Sequence, residues 1–151
     1  KMVKLNLEEI TKKRNPNTEQ WEKLPDWKKK VYVFKFSKGE EKFLKVGITD
    51  FREAYDRIMA NHIILKKGGE EEWVKTSMYE YFDEIDIMTS AELKNAKAKK
   101  IENIILKEWG EQDVKLPKMK GMSEFRKYDY ERLKQARAIL ETARYKGKSK
   151  Y

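Results

Sequence analysis

Residues 31–49, Val-Tyr-Val-Phe-Lys-Phe-Ser-Lys-Gly-Glu-Glu-Lys-Phe-Leu-Lys-Val-Gly-Ile-Thr, hold two apolar, β-rich runs on either side of a Lys38-Gly39 pair. Aromatic and β-branched residues suit a pleated, covered surface, and a glycine-containing break between two such runs predicts a hairpin. With Lys38 and Gly39 as the central turn residues, Tyr32 stands opposite Lys45, Val33 opposite Leu44 and Val31 opposite Val46. A phenol then faces an ammonium. Tyr32, Phe34, Phe43 and Lys45 share one face of this ribbon and Val31, Val33, Leu44 and Val46 the other, so both faces are apolar enough to be covered.

Beyond the hairpin, Asp50 and Glu53 have the reciprocal spacing of a capping box, and Phe51, Ala54, Ile58 and Leu65 recur at helical spacing. This predicts a helix to about Leu65, with Asp56 off its apolar stripe, before a Gly68-Gly69 loop. From Trp73 to Met88, aromatic and β-branched residues predict a third strand, antiparallel to the hairpin. Thr89 and Glu92 form a second capping-box pair, opening a helix through Trp109 that buries Leu93, Ala96, Ile101, Ile104 and Ile105 and ends at Gly110. A Lys- and Met-rich loop with Pro117 and Gly121 leads to a last helix, from about Phe125 to Tyr145. Ahead of the hairpin, residues 1–30 read as helical and peripheral, with a Leu5, Leu7, Ile10 stripe and with Trp21, Leu24 and Trp27 packing onto the sheet. The expected fold is α+β: a small three-stranded antiparallel sheet flanked by helices. Residues 31–126 form its core, 1–30 an N-terminal helical extension, and 127–151 a basic C-terminal helix and tail packed on the core.

At 151 residues the chain is long enough for one domain with a substantial core. Cysteine is absent, which excludes disulfides and thiolate metal sites. No apolar run approaches the length of a membrane span and no signal-peptide pattern opens the sequence, so a cytoplasmic protein without a membrane partner is expected. The formal net charge is +9, and residues 115–151 hold 12 Lys or Arg against 4 Asp or Glu. That asymmetry points to an anionic partner, nucleic acid before any other, with Lys118, Lys120, Arg126, Lys127, Arg132, Lys134 and Arg137 as candidate backbone contacts.

Glu102 stands at the border of the buried stripe of the Thr89–Trp109 helix, with Ala98 one turn before it and Ile105 one turn after. A carboxylate so placed is a candidate ligand for a hard divalent cation. Arg57, ten residues past Gly47, can turn a planar, permanently charged fork back toward the strand end, where it suits a phosphate. His62, the only histidine, is the remaining candidate for proton transfer or phosphate contact.

Together these positions resemble the GIY-YIG nuclease superfamily over about residues 31–126. Val31-Tyr32-Val33 stands where that family has its first motif, without the first glycine, and Lys45-Val46-Gly47 where it has the second, with lysine for tyrosine. The downstream arginine matches at Arg57, the metal-binding glutamate at Glu102, and Gly121-Met-Ser-Glu124-Phe is similar to an element that follows the metal helix. The departures are similar to those of phage- and restriction-associated branches. The resemblance implies a GIY-YIG-like β-β-α-β-α core and an endonuclease that hydrolyses phosphodiester bonds with one Mg²⁺ or Mn²⁺. Tyr32 is then the general base, Lys45 and Arg57 act on phosphate, and Glu102 holds the metal. An unperturbed tyrosine pKa of about 10 is high for a base near neutrality, and a facing Lys45 ammonium would favour the phenolate.

The substrate implied is DNA, with RNA as the other candidate, acted on by a monomer or homodimer. Two alternatives stand beside this reading: a nucleic-acid-binding relative that has lost catalysis, and a phage-type factor that works through a protein partner.

Overall fold

The structure, a computed structural model, describes residues 3–4, 22–53, 56–57, 62–66, 73–110, 113–114, 119–120 and 125–144. The Leu5, Leu7 and Ile10 stripe, Trp21, the Gly68-Gly69 loop, Pro117, Lys118 and Gly121 through Glu124 lie outside these residues. The strands are β1 (Val3–Lys4), β2 (Lys28–Lys38), β3 (Glu41–Thr49), β4 (His62–Lys66) and β5 (Trp73–Ser77). They continue with β6 (Glu84–Thr89), β7 (Leu93–Lys94), β8 (Asp113–Val114), β9 (Met119–Lys120) and β10 (Phe125–Lys127). The two long helices are α1 (Asn95–Trp109) and α2 (Tyr130–Arg144).

The architecture is α+β around an antiparallel sheet ordered β1-β6-β2-β3-β10-β8, with β7 on the first residues of β2. The β2–β3 hairpin lies at its centre, but its turn is Gly39-Glu40 rather than Lys38-Gly39, because Lys38 pairs with Glu41. Gly39 has φ +60°. Both favoured two-residue hairpin turns need positive φ at the first central position, which strains lysine and not glycine. The pairing therefore slides by two residues: Tyr32 lies opposite Gly47, Val33 opposite Val46 and Val31 opposite Ile48. A two-residue slide leaves each side chain on its expected face. Asp83 fixes the turn from outside, its carboxylate accepting the Gly39 N–H at 2.6 Å.

On one face Val31, Val33, Leu44 and Val46 pack beneath Ala98, Ile101, Ile105 and Trp109 of α1 and Leu133, Ala136, Leu140 and Ala143 of α2. Each fully buried large aliphatic side chain contributes about 1.5–3 kcal/mol over an exposed one. The other face is aromatic. Tyr32 stacks on Phe34 with centroids 4.2 Å apart, and Phe36 meets Phe82 at 4.6 Å and Phe125 at 5.5 Å.

Several expected elements differ. The third strand is only Glu84–Thr89, pairing with β2, and a single helical turn at Met78–Tyr81 separates it from Trp73–Ser77. His62–Lys66 is a strand, not the end of a helix, and with β5 and β9 makes a second three-stranded sheet. The helix expected from Asp50 does not begin there, since Thr49 closes β3 and Phe51 forms a bridge with Lys23; Asp56 and Arg57 are helical. The Thr89 and Glu92 capping pair is unused, because the chain first runs through β7 and α1 starts only at Asn95, without a side-chain cap. Gly110 ends α1 with φ 73°, its N–H donating to the Leu106 carbonyl at 3.0 Å. Phe125–Lys127 is a strand, and α2 starts after Asp129, whose Oδ1 accepts the N–H of Glu131 at 2.7 Å. The described parts of residues 1–30 are extended rather than helical: Val3–Lys4 pairs with β6, and Lys28–Lys30 belongs to β2. Leu24 is buried as expected, whereas Trp27 is 56% exposed, with Lys28 Nζ 4.7 Å from its ring centre. Among the described residues no helix is long and apolar enough to cross a membrane.

Candidate active site

Tyr32 is the centre of the site, and the hairpin dictates where it lies. Its strand is pinned at this point by Ser90, whose hydroxyl accepts the Val31 N–H at 2.9 Å and whose own N–H donates to the Val31 carbonyl at 2.9 Å. Tyr32 is 2% exposed and has Gly47 on one side and Thr89 on the other. The phenol lies flat over Gly47: a Cβ on that glycine would fall on the Tyr32 hydroxyl and Cζ, and within 2.9 Å of a neighbouring ring carbon. Only a residue without a side chain admits the ring there.

Arg57 comes back from the segment after β3, close enough for its guanidinium to lower the pKa of the Tyr32 hydroxyl. Its Nε is buried without a hydrogen-bond partner, and its guanidinium carbon is 6.0 Å from the Phe51 ring centre. Burial pushes the Tyr32 hydroxyl above its ordinary pKa; the Arg57 guanidinium draws it back, and the Glu102 carboxylate pushes it up again. Arg57 and Glu102 therefore both bear on Tyr32, although α1 lies on the opposite face of the sheet from the tyrosine ring. At neutral pH the balance holds Tyr32 as the phenol.

Glu102 has a side chain 14% exposed and takes a 2.9 Å ion pair from Lys99, one turn earlier. Its hard oxygens have the chemistry that Mg²⁺ or Mn²⁺ prefers, and Mg²⁺ is commonly held by one or two carboxylates, with water and substrate phosphate completing the shell. Among the described residues no group of three His, Cys, Asp or Glu gathers into a ready-made cage. With Glu102 as a single carboxylate, a cation there would need water and substrate to complete its coordination.

The other candidates separate. Lys45 lies opposite Phe34, one step diagonal to Tyr32, with its ammonium 5.9 Å from the Phe125 ring centre. The expected face-to-face phenol and ammonium is replaced by phenol over glycine, with Arg57 supplying the positive charge. His62 sits on β4, opposite Ser77 in the second sheet. Of the basic residues, Arg126 is 7% exposed and donates to the Gly110 carbonyl at 3.1 Å, so it is part of the interior rather than of a basic surface. Arg132 donates to the Trp109 carbonyl at 2.8 Å and to the Lys127 carbonyl at 3.1 Å, tying α2 to the end of α1. Lys127, Lys134 and Arg137 are exposed, and Lys120 lies on β9.

Asp56 is the residue that sequence reasoning passed over. Instead of facing solvent it is 7% exposed, and burial, with repulsion from Glu53 and Glu22, raises its pKa to about 6. The folded state holds this proton more tightly than the unfolded chain, so protonated Asp56 favours folding in acid. That advantage disappears as pH rises from about 4 through 6. Asp56→Asn should be neutral near pH 4 and stabilise the fold by about 1–2 kcal/mol at pH 8. Paired urea unfolding curves at the two pH values check this; equal stability of both proteins at pH 8 would refute it. Compared with protein-family models, curated proteins and solved structures, the chain matches none.

Proposed function

We propose that the protein is a metal-dependent endonuclease of the GIY-YIG type, hydrolysing phosphodiester bonds in nucleic acid, DNA before RNA. The observation that supports the reading is that Arg57 and Glu102, from a helical segment and a separate helix, both bear on the Tyr32 hydroxyl, Arg57 lowering its pKa and Glu102 raising it. Further support is the order of parts, a hairpin, the Arg57 segment, a third antiparallel strand beside β2 and the Glu102 helix. The β4–β5–β9 sheet is an addition to that order.

In this reading Tyr32 accepts the proton of the attacking water. Arg57, close to the phenol, favours the phenolate, the role expected of Lys45. Burial is the largest obstacle to the phenolate and the Glu102 carboxylate the smallest of the influences on it. A divalent cation on Glu102 would remove that last contribution and neutralise charge on the scissile phosphate and leaving oxygen. Arg57 would stabilise charge that builds on the phosphate in the transition state, its planar, permanently charged fork suiting that task.

Supercoiled plasmid incubated with the full chain should be nicked in Mg²⁺ or Mn²⁺ and left intact in EDTA. Plasmid and single-stranded RNA both surviving every metal would remove the nuclease reading. One observation favours a second reading, a nucleic-acid-binding protein without catalysis: Glu102 is held by Lys99 and Tyr32 is held as the phenol. That protein binds the plasmid and does not cut it.

A further inference from the structure

The outward side of α1 carries a concavity of about 500 Å³ lined by Ala96, Lys99, Lys100, Asn103, Ile104 and Lys107. None of these residues is acidic, and Lys100, Asn103 and Lys107 fall at three- and four-residue steps, one stripe along the helix. Lys94 and Lys97 lie at the start of the helix, whose first turn has no acidic residue although the macrodipole there favours anions, and Lys107 lies in its last turn, where the macrodipole favours a cation. The burial of Ala98, Ile101, Ile105 and Trp109 holds the helix in place. A positive stripe without an acidic member is complementary in charge to an anionic partner.

The stripe adjoins the candidate site through one residue. Lys99 lines the concavity and also pairs with Glu102 at 2.9 Å, so a single ammonium stands between the groove and the carboxylate. Among the described basic residues of the C-terminal segment, Arg126 and Arg132 bind carbonyls, and Glu141 lies one turn past the exposed Arg137.

We propose that the Lys99, Lys100, Asn103 and Lys107 stripe of α1 is the contact surface for a nucleic-acid backbone. In a second step, which rests on the nuclease reading above, the bound strand takes Lys99 onto phosphate and leaves the Glu102 carboxylate open beside it. Phosphate contacts of this kind give affinity without sequence preference and a steep dependence on salt.

The test is fluorescence anisotropy of a labelled DNA duplex titrated with the full chain in EDTA, so that binding is read without cleavage, at several NaCl concentrations. Lys100→Ala with Lys107→Ala should weaken binding about tenfold or more and flatten the log–log salt slope by nearly 2, the loss of about two phosphate contacts. Lys38→Ala with Lys42→Ala, two exposed lysines at the hairpin tip, should change affinity by less than about threefold, and Lys100→Arg with Lys107→Arg should retain it. An alanine pair on α1 that leaves both affinity and slope unchanged overturns the proposal. So does a parent protein that binds neither duplex nor RNA; an acidic protein segment is then the occupant. Binding through α1 without cutting in any metal leaves this surface standing and removes only the nuclease reading.

Discussion

Glu102→Ala should abolish plasmid cleavage while leaving nucleic-acid affinity within about threefold of the parent protein. The loss expected in rate is at least about 10³-fold, or about 4 kcal/mol on the barrier. The physical reason is that in the proposed reaction Glu102 is the carboxylate that would hold the metal, so its removal would leave neither water nor phosphate activated. Binding should survive because the carboxylate is a negative charge beside a positive groove, and its removal releases Lys99 from a 2.9 Å pair. The fold should survive as well, since an i,i+3 pair on a helix contributes only about 0.2–0.5 kcal/mol. Glu102→Gln keeps the side-chain volume and loses the charge, so it should be as inactive as the alanine variant. Gel-based nicking rates and duplex anisotropy measured on the same preparations decide the matter. Undiminished cutting by either variant would remove Glu102 from the reaction.

What the sequence disclosed of this site follows from which interactions are local. The hairpin and its two faces were legible because alternation has a period of two, and the two-residue slide preserved it. The register itself depends on one φ angle at Gly39, and reading the glycine as the first central residue would have placed Tyr32 over Gly47. Arg57 and Glu102 were legible as candidates because their positions depend on helical segments near the hairpin and on the Ile101 and Ile105 stripe. Strand β4 was not legible: Ile63, Ile64 and Leu65 form a short apolar run that fits a helix or a strand equally, and only pairing with Trp73–Ser77 decides it. The start of α1 was misplaced for a related reason, since Thr89 and Glu92 satisfy a capping pattern locally while pairing of Lys28–Lys29 with Leu93–Lys94 holds that segment extended. The burial of Asp56 and Arg126 and the hydrogen bond from Arg132 to the Trp109 carbonyl depend on the folded chain, and composition counts all three merely as charges.

Gly47→Ala should be the most damaging small substitution in the hairpin, lowering stability by about 3 kcal/mol, the upper end of what overpacking normally costs. The backbone is not the cause, because Gly47 is absent from the glycines with positive φ. The cause is space. The added methyl would occupy the position of the Tyr32 hydroxyl and Cζ, which are the rigid end of an aromatic ring rather than a flexible tip. The ring cannot swing aside, since Phe34 stacks on it at 4.2 Å and Tyr32 is 2% exposed. Either β2 and β3 part or the phenol leaves, and each outcome disturbs its approach to Arg57. A double-mutant cycle tests the mechanism. Tyr32→Ala alone should cost about 3–5 kcal/mol as a core truncation, yet in that background Gly47→Ala should be close to neutral because the volume it needs has been vacated. Urea unfolding of the four proteins gives the coupling term. Additive costs across the cycle would mean that the glycine is required for something other than the approach of the phenol, and the packing account of the site would fall with it.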